Sequence, residues 1–210
     1  MKRGQHFANL LVLLIIVSFI CACSKTNRLA VLKYKKEITK GRIDKDRFFG
    51  ESPNSPLLPV QRLNFKGLKY FKPDMNYRLK AKFTPQSSPQ SFKIQTSSGR
   101  ERLYIVKGRL DFNYAGHKLT LTAYQEKDRA ASHPNELFMP FTDLTSGKQS
   151  YGGGRYLEVT TPNLHSGEVV LDFNLAFNPY CAYNHNFSCP IPPRGNHLDL
   201  AVYAGEKKFH

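Results

Sequence analysis

Short runs of alternating apolar and polar side chains fill most of the chain from residue 76 to residue 203. Residues 77–83, for example, place Tyr, Leu, Ala and Phe in alternation with Arg, Lys and Lys, as a strand with one buried face does. No long amphipathic helical pattern and no internal repeat interrupts this region. Short strands at such spacing are typical of an antiparallel sandwich or barrel, so we predict an all-β fold. The predicted strands are 77–83, 92–96, 102–112, 118–124, 155–160, 168–174 and 198–203.

A helical pattern precedes these strands. Residues 27–40 carry an imperfect apolar stripe of Leu29, Val31, Leu32 and Ile38. Asn27 is a residue type that caps helices, and Gly41 is expected to interrupt the helix. The sequence therefore predicts a basic tether with a short helix over residues 23–47, followed by a single β-rich domain over residues 48–210.

The first 23 residues have the pattern of a bacterial lipoprotein signal. Lys2 and Arg3 precede an apolar run over residues 7–20, and Ala22 places a small residue directly before Cys23. Residues 1–22 are therefore predicted to be a signal peptide that is cut after Ala22, with lipid attached to Cys23. An uncleaved anchor is the alternative, although a transmembrane helix needs about 20 apolar residues and this run is shorter.

Lipidation would place the folded part on a membrane, because more than one acyl chain gives stable anchoring. We expect a lipoprotein that faces the periplasm or the cell surface. The outer membrane is favoured because Ser24, not an aspartate, follows the lipidated cysteine. The chain has 31 basic and 16 acidic residues, yet the export signal argues against a nucleic-acid partner. The basic residues of segment 25–47 either face anionic lipid or are simply solvated.

Four clusters of residues mark the C-terminal half. They are FTDLTSG at 141–147, YGGGRYL at 151–157, LDFNLAFNPYCAY at 171–183, and CPIPP at 189–193 continuing to AGEK at 204–207. In this order they resemble an uncharacterised bacterial family, domain of unknown function 1684, over roughly residues 44–210. The resemblance implies no activity. It implies that the following residues occupy positions typical of the family: Asp143, Arg155, Tyr156, Asp172, Asn174, Asn178, Cys181, Cys189, Asn196 and Glu206.

Two cysteines remain once Cys23 is acylated. Outside the inner membrane, a nearby pair such as Cys181 and Cys189 most often forms a disulfide. Zinc binding is an alternative, because the four residues Cys181, His185, Cys189 and His197 could supply two thiolates and two imidazoles. Their spacing differs from that of paired zinc knuckles, however, and His185 is not typical of the family. We therefore expect neither a metal nor another cofactor.

An enzyme is the alternative to a binding domain. Cys181 could act as a nucleophile if His185 or His165 served as its base and Asp172 oriented that base. Arg155 could present a two-pronged donor to an anionic ligand, or it could form a buried ion pair with Asp143 or Asp172. This alternative predicts a periplasmic hydrolase or acyl transferase that uses the neighbourhood of Arg155, Asp172 and Cys181.

A non-catalytic binding or structural module of the cell envelope is the preferred prediction. Tyrosines and asparagines cluster in the C-terminal half, and a pocket lined by such residues would suit a sugar, a cell-wall fragment or a small anionic ligand. The candidate ligand-binding residues are Asp143, Arg155, Tyr156, Asn174, Asn178 and Asn196. The glycines at 152–154 are expected to form a tight turn before a strand and not a phosphate-binding loop, because no helix follows them.

Overall fold

The computed structural model describes residues 28–161 and 167–210. The predicted signal peptide, Cys23, the predicted cap Asn27 and His165 lie outside the described residues. Within the described part of the chain, no helix is both long enough and apolar enough to cross a membrane.

The predicted all-β fold is confirmed, with one main helix preceding the sheet. That helix, α1, is described from residue 28 to residue 51, and a short helix α2 follows at Pro59–Leu63. Seven strands follow: β1 Arg78–Gln95, β2 Glu101–Tyr114, β3 His117–Glu126, β4 Glu136–Asp143, β5 Arg155–Thr160, β6 Gly167–Asp172 and β7 His197–Leu198. They form one curled sheet with the order β5-β4-β3-β2-β1-β6, in which β7 pairs in parallel with β4.

The strand predictions are right in type and differ from the structure in extent. Strand β5 has the predicted bounds. The first two predicted strands are one long strand, β1, with an irregular register between Pro85 and Gln90. The last predicted strand is reduced to two residues. Strand β4 was not predicted at all, because nearly every residue in it is buried and it shows no alternation.

Strands β2 and β3 form a hairpin with a two-residue turn at Ala115 and Gly116. The φ angles of these residues are 49° and 82°. Positive φ at both central positions is the conformation that matches the twist of the two flanking strands. Glycine accepts this conformation without steric cost, which explains why Gly116 occupies the second position of the turn.

The sheet has a packed cluster on each face. The main core includes Leu137, Met139, Leu157 and Leu171, all fully buried. Residues that alternate with these on β4 and β5, such as Phe138 and Tyr156, point to the opposite face. There they pack with Ile94, Tyr104, Tyr124 and Cys189. The loop around Cys189 therefore covers part of this second face, and the candidate site lies beside it.

The predicted end of α1 was wrong, because the helix continues through Gly41 to residue 51. The predicted boundary between residues 47 and 48 therefore falls inside the helix. Its buried positions are Tyr34, Ile38 and Phe49, whereas Leu29 and Leu32 of the predicted stripe are exposed. A glycine in a helix costs only about 1 kcal/mol, which tertiary contacts along one helix face readily offset.

Polar contacts also fix α1 to the sheet domain. The Tyr34 hydroxyl donates to Asp172, and the Arg42 guanidinium donates to the carbonyl oxygen of Phe71 at 2.7 Å. Lys45 Nζ lies 2.6 Å from the buried carboxylate of Glu206. The second half of the predicted tether is thus part of the folded domain.

Candidate functional site

An aromatic cleft of about 290 Å³ opens on the second face of the sheet. Strands β2 to β5 form its floor, and the turns around residues 127–133 and 180–190 form its walls. We call this cavity the aromatic cleft. Its lining residues are Arg102, Tyr104, Gln125, Glu126, Arg129, His133, Glu136, Phe138, Tyr156, Glu158, Tyr180, Phe187, Ser188, Cys189 and Pro190.

Aromatic rings form both the floor and the rim of the cleft. On the floor, Tyr104 stacks on Phe138 at a centroid distance of 5.6 Å, and Phe138 meets Tyr156 edge-on at 4.8 Å. These three rings are buried, whereas Tyr180 and Phe187 on the rim are 38% and 36% exposed. The Tyr156 hydroxyl donates to the carbonyl oxygen of Pro190, so this residue offers its ring to the cavity. The cleft therefore presents flat apolar surfaces to a ligand.

Charged side chains complete the lining, and four of them form two ion pairs. Arg102 Nη1 lies 3.2 Å from Glu126 Oε1, and Arg129 Nη2 lies 3.2 Å from Glu136 Oε2. Arg102 also donates to the carbonyl oxygen of Ser188 at 3.0 Å, which ties the 184–190 loop to β2. Each arginine of the lining thus has a glutamate partner.

Glu158 is the fifth charged residue, and it stands apart from these pairs. It faces Phe138 across the β4–β5 pairing and lies beside Glu136. Burial of the carboxyl raises the pKa of Glu158, and the negative charge of Glu136 raises it further; Arg129 and Lys45 oppose this more weakly. The side chain is nevertheless solvent-exposed at the mouth of the cleft. Among the described residues, Glu158 forms no ion pair, unlike the other two glutamates of the lining.

Arg155 lies in the interior and not at a cleft. Its side chain is 0% exposed, and Nη2 donates to Asp143 Oδ2 at 2.8 Å and to the carbonyl oxygen of Val202 at 2.9 Å. Nη1 donates to the carbonyl oxygens of Ala204 and Glu206. The predicted buried ion pair is present with Asp143 and not with Asp172. Both residues hold the C-terminal segment onto the sheet, and neither faces a ligand site.

The three predicted asparagine ligands also bind the protein's own backbone. Asn174 exchanges hydrogen bonds with the main chain of Asp74, and Asn196 does the same with Thr122. Asn178 donates through its side chain to the carbonyl oxygen of Lys207. All three are buried. The predicted pocket of tyrosines and asparagines is therefore not formed, and of its proposed ligands only Tyr156 lines the aromatic cleft.

Asp172 caps a helical turn and binds α1. Its Oδ1 accepts from the Tyr34 hydroxyl at 2.8 Å and from the backbone and side-chain nitrogens of Asn174 at 3.0 Å. Arg78 Nε lies 3.9 Å from Oδ2. Asp172, Arg155 and Cys181 therefore belong to three separate sets of contacts. The structure does not assemble them into the predicted catalytic neighbourhood.

Cys181 and Cys189 are brought together as free thiols, 3.5 Å apart. The Cys181 backbone N–H donates to the Cys189 sulfur at 3.2 Å. A hydrogen bond from Cys189, followed by weaker ones from Ser97 and Tyr151, lowers the pKa of Cys181 to about 6 despite partial burial. The same interaction raises the pKa of Cys189. Within the pair, Cys181 is thus the thiol whose ionisation is favoured and Cys189 the one whose ionisation is disfavoured.

The family of the chain follows from comparison with known proteins. The family described as "Protein of unknown function (DUF1684)" matches residues 63–207. The chain belongs to this family. The match confirms the resemblance inferred from the sequence clusters. No curated protein matches the chain.

A solved structure supports the same placement of this DUF1684 member. The solution NMR structure of an uncharacterized protein from Haloarcula marismortui is 41% identical to the chain, with a TM-score of 0.66. The match covers 83% of this chain and 94% of the other. The family model thus identifies the family and the solved structure shows a similar fold, and neither names an activity.

The zinc alternative is not supported in this DUF1684 chain. His185 is exposed, and His197 Nδ1 is within hydrogen-bonding distance of Thr142 Oγ1, at 2.9 Å. Among residues 28–161 and 167–210, no group of three or more His, Cys, Asp or Glu side chains is placed to hold a metal ion. Of the four predicted zinc ligands, the fold brings together only the two cysteines.

Most of the cleft was missed by the sequence predictions. Glu136 and Phe138 are separated by one residue on β4, as are Tyr156 and Glu158 on β5. Because every second side chain of a strand points to the same face, all four project from one face of the sheet. Their convergence depends on the pairing of Phe138 with Glu158. The sequence could therefore place Tyr156 and Glu158 on one face of β5. It could not show that Glu136 and Phe138 lie beside them, because β4 was not predicted.

Proposed function

We propose that this chain is a lipid-anchored binding module of the cell envelope, and that the aromatic cleft is its ligand site. The single observation that carries the proposal is a cavity of about 290 Å³ with a floor of buried rings and a rim of exposed ones. Concave, mostly apolar sites with a few charged groups are the usual form of small-molecule sites. We propose a cell-wall fragment or another sugar as the ligand, because the flat faces of sugar rings stack on such side chains.

The cleft makes a specific prediction for binding. Removing the exposed rim rings with Tyr180→Ala and Phe187→Ala should weaken the binding of solubilised peptidoglycan fragments about ten-fold, because aromatic anchors contribute most of the affinity at such sites. Calorimetric titration of the full chain in detergent measures this. Tyr203→Ala is the matched control, since it removes an exposed tyrosine outside the cleft. Undetectable binding, or binding that the rim variants leave unchanged, would contradict the assignment.

The lipid anchor is the second part of the proposal, and it rests on the sequence of residues 1–23. Cys23→Ala should prevent acylation and release the protein from membranes, because the anchoring chains are lost. Globomycin should block processing of the unaltered chain. Fractionation and mass spectrometry of the N-terminus provide the measurement. Cys21→Ala is the control and should leave processing unchanged; equal membrane partitioning of both variants would refute the anchor.

We also propose that Cys181 and Cys189 form a disulfide in the oxidising envelope. The Cys181 thiolate would attack an external disulfide, and Cys189 would then displace the carrier thiol, so that two electrons pass to the carrier. The 3.5 Å separation needs only a small closure to reach the bond length of about 2.05 Å.

This bond has a measurable effect on stability. Closing so short a loop should stabilise the protein by about 2.5 kcal/mol, less any strain. A reductant should therefore lower the melting temperature of the unaltered chain and leave that of Cys181→Ser unchanged. Two titratable thiols in protein purified without reductant would count decisively against the disulfide.

A further inference from the structure

We infer that the ligand of the aromatic cleft carries a cationic ammonium group, as an amino sugar does, and that Glu158 receives it. This inference rests on the proposed function, because it specifies the ligand class of the same cleft. It reverses the expectation of an anionic ligand that the overall basic charge of the chain, +15, would suggest.

The balance of charge inside the cleft is the first step. Two arginines and three glutamates line it. Each arginine lies 3.2 Å from its own glutamate, so that these four charges cancel in pairs. Glu158 has no arginine partner in the cleft lining, so a ligand can neutralise its negative charge.

The surroundings of Glu158 are the second step. Within the described residues, the carboxylate forms no ion pair, and Lys45, whose charge it senses, is itself paired with Glu206 at 2.6 Å. The effect of Glu136 on Glu158 exceeds that of Arg129. Among the described residues that line the cleft, Glu158 is therefore the carboxylate without an arginine or lysine partner, and it is available to an incoming cation.

The aromatic rim is the third step. Tyr180 lies close enough to Glu158 for the carboxylate, after burial, to raise the pKa of the tyrosine hydroxyl. Tyr180 also meets Phe187 edge-on at a centroid distance of 5.2 Å. Rings attract cations through their negative faces, and a carboxylate beside them adds a direct charge. An ammonium group held between Glu158 and these rings satisfies both interactions, while the carbon body of the ligand packs on the floor.

Three sugars that differ chiefly in charge test the inference. Glucosamine, N-acetylglucosamine and glucuronic acid are cationic, neutral and anionic at neutral pH. They are titrated into the full chain in a nonionic detergent, and the dissociation constants are measured by NMR chemical shifts. We expect glucosamine to bind about ten-fold more tightly than the other two. Glu158→Gln should remove this preference, so that glucosamine binds no more tightly than N-acetylglucosamine to this variant.

Glu168→Gln is the matched control, because Glu168 is an exposed glutamate that pairs with Lys80 on the neighbouring strand and does not line the cleft. Equal binding of glucosamine and N-acetylglucosamine, tighter binding of glucuronic acid, or an unchanged preference in Glu158→Gln would each overturn the inference. In these cases, loss of binding in the Tyr180→Ala variant would still support the cleft as a sugar site. If no sugar binds, the inference fails, and if peptidoglycan fragments also fail to bind, the proposed function fails with it.

Discussion

Arg155→Met should destabilise the protein by about 3–5 kcal/mol, a large fraction of the stability of a typical domain. The substitution removes the guanidinium that lies 2.8 Å from the buried Asp143 carboxylate, which has no other ion-pair partner in the described part of the chain. Breaking a buried ion pair on one side has this cost because the remaining charge has no water to solvate it. The carbonyl oxygens of Val202 and Ala204 lose a donor as well. Chemical denaturation monitored by far-UV circular dichroism measures the loss.

Two further variants separate this effect from a general sensitivity to mutation. Arg109→Met removes an exposed ion pair with Asp111, and it should change the free energy of unfolding by less than about 1 kcal/mol. Replacing both Arg155 and Asp143 by apolar residues removes the uncompensated charge, so the double variant should be more stable than Arg155→Met alone. A single variant that melts within a few degrees of the unaltered protein would show that the buried pair does not hold the C-terminal segment in place.

Strands with one exposed face could be predicted from the sequence. Strand β4, which is buried on both faces, could not. Strand β5 was predicted with its observed bounds because its buried residues give way to exposed ones before the strand ends. Strand β4 packs against the main core with Leu137 and Met139 and against the aromatic cluster with Phe138. A strand buried on both faces has no alternation to detect, and Pro140 argues further against it.

The candidate site was harder to predict than the fold, because the same side chain suits two roles. An asparagine amide can bind a sugar hydroxyl or a backbone amide with equal chemistry. Asn196, for example, is fully occupied by the backbone of Thr122 and Pro140. Most of the residues that the family resemblance singles out bind other groups of the protein in the same way. The cleft instead depends on Glu136 and Glu158, which become neighbours only through strand pairing.

The C-terminal segment, residues 198–207, is held by the side chains of Arg155 and Asp143, and its own backbone conformation is constrained as well. Gly205 has a φ of +76° and lies against the turn at residues 173–176. A Cβ at this position would be 2.4 Å from the Ala176 carbonyl oxygen and 2.8 Å from that of Phe173. The Ala176 oxygen already accepts a hydrogen bond from the Glu206 N–H at 2.9 Å. The contact cannot relax without moving the segment.

Gly205→Ala should therefore destabilise the protein by about 3 kcal/mol or more, since it combines a left-handed backbone with a collision against main-chain atoms. Gly99→Ala is a stringent control: Gly99 has a nearly equal φ of +78°, but no atom lies within 4 Å of its Cβ position. That variant should lose only about 1 kcal/mol, from the backbone conformation alone. The difference between the two free energies of unfolding isolates the collision. Equal losses in the two variants would mean that the segment around Gly205 is free to move away from the 173–176 turn, and that Arg155 and Glu206 do not fix it there.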